Sequence, residues 1–493
     1  MSLTYTPRLA LRFLVLVSIL SSTYLYFYPV FHQCAFPSSE ANSGSEYLNT
    51  LRYHLPYSVS PYDHDRIAPF RLLIFGDPQL EGDSSIGDIQ ATSFPNLKSF
   101  FTHLQQNKSL FPLKALRLCL HDLIDFYLDD IPKSLKVWHK RLDHIGNDYF
   151  LGHIYRTLHW WTSPTHVTVL GDLIGSQWVD DEEFENRGRR FWNRVFKGGM
   201  KIAEDLVSSN GEPKKMVLGE DGENWARRII NIVGNHDIGY AGDMSSARLE
   251  RFTKVFGKYN YELRFEAPVK QGSSHAVNTT SQVPELRIVI LNNLNLDVPT
   301  GICNDGPLFR YYDGEYQNGV KEQYLLSEDA SKNILEGIFG KSGKTDVAGE
   351  GFGRNGAILN GHDHEGCDVL HYINQSMSHE PQWNATRWDS PLSRSIRQGS
   401  RLPTLREITV RSMMGAYDGN AGLMSLWFDE ATWDWKFEFN NCRFGKQHIW
   451  WVIHVLDLIT FCTLVWYGIH NITKRFPRSS LRLASNSKDI ART

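Results

Sequence analysis

Two long apolar runs bracket the chain and limit what it can be. Phe13 to Phe31, FLVLVSILSSTYLYFYPVF, is 19 residues without a charge and follows Arg8 and Arg12. The apolar region of a cleaved signal peptide is roughly 7 to 15 residues, so this run reads as an uncleaved signal anchor. Ile449 to Ile469, IWWVIHVLDLITFCTLVWYGI, is 21 residues long, with Trp450, Trp451, Trp466 and Tyr467 at its edges, where aromatic rings settle at a membrane–water boundary. His454 and Asp457 lie inside it. A carboxylate near the centre of a span costs on the order of 3 kcal/mol, which the flanking Leu, Ile and Trp residues are expected to offset. A buried terminal helix is the alternative, but Lys474, Arg475, Arg478 and Arg482 follow directly. With Arg8 and Arg12 they place both termini on the cytoplasmic side and everything from about 32 to 448 on the far side.

The expected organisation is therefore a cytoplasmic segment 1–12, an anchor 13–31, a linker 32–69, a lumenal domain 70–445, a second span 449–469 and a cytoplasmic tail 470–493. Mean hydropathy, -0.36, conceals this division. The 52 Lys+Arg against 55 Asp+Glu leave a net charge of -3, without the basic excess that neutralising phosphates of a nucleic acid requires. Four Asn-x-Ser/Thr sequons, at Asn107, Asn278, Asn374 and Asn384, fall in the lumenal stretch and fit a glycoprotein. Five of the six cysteines, Cys34, Cys119, Cys303, Cys367 and Cys442, fall there too, and Cys462 in the second span. That compartment permits disulfides, but an odd number so scattered defines no framework, and no Cys-x-x-Cys occurs.

Within the domain, five short apolar, β-branched runs stop at polar clusters: RLLIF before Gly76, HVTVL before Gly171, RIINIV before Gly234, LRIVIL before Asn292 and GAIL before Asn360. As buried strands ended by turns they put polar side chains at strand C-terminal ends, where α/β folds build their sites. Leu-, His- and aromatic-rich helical patterns over about 93–160 are too long for a crossover and read as a helical insertion. EITVRSMMG, LMSLWF and WDWKFEF read as consecutive strands of a second antiparallel sheet. Residues 337–345, GIFGKSGKT, only imitate a phosphate-binding loop. The glycine needed before Gly343-Lys344-Thr345 is Ile338, and the stretch follows a helix rather than a strand, so it reads as a flexible linker. DDEEFE, 180–185, reads as a solvated face.

The strand ends carry, in order, Asp77 and Gln79 (GDPQ), Asp172 (GDLIGS), Asn235, His236 and Asp237 (GNHD), and His362 and His364 (GHDH). Carboxylate, amide and imidazole ligands without thiolates suit Mn²⁺, Fe or Zn²⁺, and one central aspartate can bridge two ions about 3.5 to 4 Å apart. Such a pair holds a phosphate ester, activates water for in-line attack and stabilises the leaving oxygen, which is phosphoesterase chemistry. A Gly-Asp after a strand is common turn chemistry and an isolated GHDH is usually a surface loop; it is the ordered set that signifies.

This series resembles the calcineurin-like metallophosphoesterase superfamily, whose motifs run D-x-H, G-D, G-N-H-D/E, a lone strand-end His and G-H-x-H. The resemblance implies an α/β fold, a four-layer α/β/β/α sandwich, and two divalent metal ions, Mn²⁺ first with Zn²⁺ or Fe as alternatives. By it, Asp77, Gln79, Asp172 and His364 serve one ion, and Asp172, Asn235 and His362 the other. His236 is the residue implied to meet the phosphate and assist the leaving group; Asp237 either orients it or caps the following turn. LLIFGDPQLEGD, GNDYFLGHIYRTLHWW, HVTVLGDLIGSQWV, GNHDIGY and NGHDHEGCDV look like the fungal members of a branch of membrane-bound phosphoesterases of the early secretory pathway. That branch implies a hydrolase of the endoplasmic reticulum or early Golgi membrane removing ethanolamine phosphate from a GPI-anchor mannose, promoting ER-to-Golgi transport of GPI-anchored proteins. Its implied partners are GPI-anchored proteins or GPI glycolipid, the membrane, and a cargo-sorting receptor, with no nucleic acid.

Two departures bear on activity. Gln79 stands where the superfamily has His, a change that an amide oxygen tolerates at a hard ion. Between GNHD and GHDH the pattern also needs a strand-end His, and the only histidine there is His275, in a polar loop before LRIVIL. The chain passes from LNNLNLD directly into PTGICNDGP, as if a short segment with strand and ligand were missing. The competing expectation is a catalytically impaired relative that binds GPI cargo or its sorting receptor.

Overall fold

A computed structural model describes residues 5–38, 50–51, 54, 67–82, 112–207, 214–219, 222–239, 244–267, 284–295, 309–311, 320–323, 328–344, 346–374, 382–399 and 402–475. The fold is mixed α/β. Its main sheet is built on β1 (Phe70–Phe75), β2 (His166–Leu170) and β5 (Arg228–Ile232), which run parallel, with the short β3 (Met200–Lys201) at one edge. At the other edge β14 (Asn420–Asp429) pairs antiparallel with β1, and β15 (Asp434–Arg443) with β14. β2 is buried along its whole length, the condition that makes a parallel strand read as an unbroken apolar run.

Leu73, Phe75, Val167, Val169 and Ile229 pack one face of this sheet onto helices, including Leu151, Ile154 and Leu158 of the long helix Ile131–Thr162. Phe70, Leu72, Ile74, Leu170 and Ile230 pack the other face against two further sheets. Each fully buried side chain of this size contributes roughly 1.5–3 kcal/mol. One further sheet has the order β4 (Lys215–Val217), β6 (Tyr261–Glu266), β7 (Glu285–Ile290). The other has the order β10 (Ala357–Asn360), β13 (Thr404–Thr409), β11 (Cys367–Asn374), β12 (Gln382–Arg387). A separate hairpin joins β8 (Phe309–Tyr311) to β9 (Val320–Gln323).

All five apolar runs form strands, but they divide among three sheets, and β10 is only half-buried throughout. The three C-terminal runs do not share an antiparallel sheet either: β13 joins β10 and β11, whereas β14 and β15 widen the main sheet. The reason lies in the link between them. Ser412 bridges to Gly76, so residues 410–419 carry the chain from one sheet to the other past the end of β1. Residues 337–345 do not form a free linker in their described part: Lys341 is buried and donates to the Phe352 carbonyl at 3.0 Å.

The insertion is helical from Pro112–Asp125 through a wide turn at Phe126–Asp130 into Ile131–Thr162, ending at Ser163 with left-handed φ 46°; residues 93–111 lie outside the described residues. Helices Tyr5–Tyr26 and Gln447–Arg475 are each long and apolar enough to cross a membrane. They pack on each other antiparallel, as the reversed order of their contacts requires. Arg8 Nε donates to the Tyr467 hydroxyl at 2.8 Å, Ser22 Oγ donates to Asp457 Oδ2 at 2.7 Å, and Ser18 Oγ donates to Asp457 Oδ1. Hydroxyls of the partner helix, rather than flanking apolar residues, thus satisfy the Asp457 carboxylate. A double-mutant cycle of Asp457→Leu with Ser18→Ala/Ser22→Ala, read by thermal unfolding in one detergent, is expected to give a coupling of about 0.5–2 kcal/mol; additive losses would mean that the bonds contribute nothing. Beyond the helices, Cys34 and Cys442 form a disulfide across a sequence separation of 408, a pairing that spacing alone does not reveal.

Candidate metal centre

The strand ends converge because each predicted cluster begins with a residue that tolerates very close backbone approach. A Cβ on Gly234 would lie 2.2 Å from the Asp172 amide nitrogen, and one on Gly361 would lie 2.3 Å from the Leu170 carbonyl oxygen. Asp77, Gln79, Asp172 and His362 themselves hold left-handed φ of 42°, 41°, 46° and 76°. Such conformations cost on the order of 1–3 kcal/mol each and persist where the surrounding structure imposes them.

Asp77 and Asp172 are buried at the ends of β1 and β2. With His364 they offer one ligand atom each, all within 4.8 Å of one another. The Gln79 side-chain amide reaches the same group, 3.1 Å from His364 Nε2 and 3.4 Å from Asp172 Oδ2. On the other side of Asp172, Oδ1 accepts the His236 backbone N–H at 2.9 Å. Asn235 Oδ1 lies 2.9 Å from His362 Nδ1, and the His362 backbone N–H donates to Asp77 Oδ1 at 2.9 Å. The eight residues named from the sequence therefore gather at one place, in two groups that meet at Asp172.

Asp237 spends both carboxylate oxygens on backbone: Oδ2 accepts from the Gly234 amide at 2.8 Å and Oδ1 from Ile174 at 3.1 Å. It closes the turn Asn235–Ile238 and ties it to the loop after β2, which is the capping alternative. His236 is half-buried, and its Nδ1 has no hydrogen-bond partner among the described residues.

The donor set fits a divalent cation. Asp77 Oδ2 is buried with no partner among the described residues, a costly state for a carboxylate unless a cation sits beside it. Burial first, and then the neighbouring Asp172 charge, push both Asp77 and Asp237 well above the usual carboxylate range. Burial also lowers His364, favouring the neutral imidazole that ligates metals.

Several supporting residues carried no signal as parts of a site. Ser412 Oγ donates to the Asp77 carbonyl at 3.0 Å, and its amide donates to the His364 carbonyl at 3.1 Å. The Tyr417 ring stands edge-on to His364 with centroids 4.6 Å apart. Arg187, fully buried, donates to the Leu80 carbonyl at 3.1 Å and pairs with Glu183 at 2.8 Å. The 180–185 run is thus not merely solvated: Asp180 caps its helix through the Glu183 amide, and Glu183 holds the arginine that supports the Gln79 loop.

A cavity of about 1820 Å³ adjoins Asp77, Asp172, Asn235 and His362. β7 and β10, each at an edge of its sheet among the described residues, both line it. His275 and the junction at 297–301 lie outside the described residues.

The chain is 29% identical to Protein TED1 of Saccharomyces cerevisiae, over 92% of this chain and 96% of that one. The 546 aligned positions exceed the chain's own 493 residues, so this relative carries residues that the chain lacks. It is 26% identical to an uncharacterized protein of Schizosaccharomyces pombe, over 67% of this chain and 82% of that one. Metallophosphoesterase 1 of Danio rerio is 24% identical over 47% of this chain and 60% of its own length. No family model matches the chain, and no solved structure does. Those relatives, together with an Asp/Asp/His cluster at the ends of adjacent parallel strands, support a calcineurin-like metallophosphoesterase-related family for the chain.

Proposed function

We propose that the chain is a metal-dependent phosphoesterase of the endoplasmic reticulum or early Golgi membrane that removes ethanolamine phosphate from a GPI-anchor mannose, with Mn²⁺ as its ion. The observation that carries the reading is the gathering of Asp77, Asp172 and His364 within 4.8 Å. In this reading the layers on either side of the main sheet form a four-layer α/β/β/α sandwich, both termini are cytoplasmic and the domain is lumenal. The Cys34–Cys442 disulfide supports an oxidising compartment. The exposure of sequon residue Asn384 supports glycosylation. A lipid-linked substrate is supported by position: a Cβ on Gly415, in the loop that carries Tyr417, would lie 2.5 Å from the side chain of Gln447, the first residue of the C-terminal apolar helix. The centre is one loop away from that helix.

Asp77, Gln79, Asp172 and His364 would hold one ion, and Asp172, Asn235 and His362 a second. Divalent ions there supply Lewis-acid charge at the phosphoryl oxygens and acidify a water. The protein's own residues do the rest. His236, held by its backbone bond to Asp172, presents its side chain for the phosphate and the departing oxygen. Asp237 keeps that turn closed, and Ser412 fixes both Asp77 and His364 by their backbones.

A second reading, a catalytically impaired relative that binds GPI cargo or a sorting receptor, rests on one observation: His275 is the only histidine between Asp237 and His362. The two are separated by metal analysis of the purified full-length protein alongside ethanolamine-phosphate release from GPI glycolipid. Bound transition metal with release is the expected result. Metal-free protein without release, binding GPI-anchored cargo, would establish the second reading instead.

A further inference from the structure

The insertion helix carries an apolar face that the metal centre does not use. Leu128, Leu135, Trp138, Leu142, Ile145 and Tyr149 recur at helical spacing and are exposed, Leu128 at 75% and Trp138 at 64%. An exposed apolar stripe of this length on one helix marks a contact surface rather than scattered surface residues.

Its direction is set by Gly146. A Cβ there would lie 1.7 Å from the Trp451 ring, so this side of the helix presses on the first turns of the C-terminal apolar helix. At about 100° per residue, Leu135, Trp138, Leu142 and Tyr149 all project within roughly 80° of Gly146. Further along, Trp161 Nε1 donates to the Tyr26 carbonyl at 2.7 Å and the His153 ring meets Tyr26 at 5.1 Å. The insertion helix therefore crosses the bases of both apolar helices where these leave the domain, and its stripe faces the side from which they extend.

We propose that this face lies at the headgroup–acyl boundary of the leaflet from which the two apolar helices emerge, as a third membrane contact that sets the tilt of the metal centre over the bilayer. The inference rests on reading those helices as membrane spans. Two cations beside the stripe are engaged, Lys133 with Asp129 and Lys140 with Glu81, while Lys136 is exposed next to Leu135, so apolar burial holds the face down with a cation available at headgroup level. The coupling to the site is direct: Lys140 Nζ and His144 Nδ1 each approach Glu81 Oε2 at 3.7 Å, two residues beyond Gln79.

The test uses full-length protein in phosphatidylcholine nanodiscs with and without bromine on the upper acyl chain. Trp138→Phe and Trp466→Phe isolate each indole by difference. Both differences are expected to lose most of their intensity in brominated discs. Leu135→Glu/Leu142→Glu is expected to abolish the loss at Trp138 while leaving that at Trp466. Quenching of Trp466 without Trp138 overturns the inference and leaves the spans standing; if the particle then holds two chains, the face is a self-interface. Absence of quenching at both overturns the membrane reading itself.

Discussion

Asp172→Asn is expected to lower phosphoesterase turnover by on the order of 10³-fold or more, since losing the carboxylate that would serve both ions forfeits several kcal/mol of charge stabilisation at about 1.36 kcal/mol per tenfold. The substitution is chosen for what it keeps. Asparagine has the same shape, and its amide oxygen can still accept the His236 backbone N–H that Asp172 Oδ1 accepts at 2.9 Å. It loses the charge and the second ligating oxygen, on the side where Gln79 and His364 lie. The same charge helps push Asp77 and Asp237 above the carboxylate range. With metal stripped by chelator, the variant is therefore expected to unfold at a temperature no lower than the parent's. Metal content per chain, release rate and Tm with chelator check all three points. Unchanged metal content and full rate would remove Asp172 from the chemistry, whereas a lower Tm in chelator would show that its role is structural.

The site was legible from the chain because its grammar is local. Each ligand cluster follows an apolar strand and opens on a glycine, and both features have causes that operate within a few residues: for β1, β2 and β5, parallel strands buried on both faces, and for the glycines, backbones approaching so closely that Gly234 and Gly361 have no room for a Cβ. What stayed hidden depends on distant partners. An alternating run reads the same whichever neighbour it pairs with, so nothing in β13, β14 and β15 distinguished one sheet from two. Asp457 looked like a cost because the hydroxyls that satisfy it are Ser18 and Ser22, on the other apolar helix. Cys34 and Cys442 stand at opposite ends of the domain, and Arg187 was invisible as a prop for the Gln79 loop because the carbonyl that it meets, at Leu80, is 107 positions away.

Asp148→Ala is expected to destabilise the domain by about 3–5 kcal/mol, the range for stranding a buried charge. GNDYFLGHIYRTLHWW showed its family likeness without showing what Asp148 does. The carboxylate is fully buried and receives Arg190 Nε at 2.8 Å, Arg190 Nη2 at 2.7 Å and Arg194 Nη1 at 3.2 Å. Arg194 is 41% exposed and can turn to water, so its share is small. Arg190 is only 13% exposed, and without Asp148 its one remaining partner in this set is the Glu81 carbonyl at 2.6 Å. Because that carbonyl belongs to the loop carrying Gln79, the loss reaches the metal centre as well as the fold. Metal affinity should weaken by roughly 10- to 100-fold, the usual effect of removing an outer support, well short of the effect of Asp172→Asn. If the penalty is the stranded guanidinium, Asp148→Leu combined with Arg190→Met should recover most of the Tm, since replacing a buried pair by apolar side chains is often neutral or stabilising. The metal affinity should not recover with it, because Arg190→Met takes away the donor to the Glu81 carbonyl. A double variant as unstable as Asp148→Ala would instead place the cost in packing around the insertion helix, and a single variant with unchanged Tm would mean that Arg190 finds water.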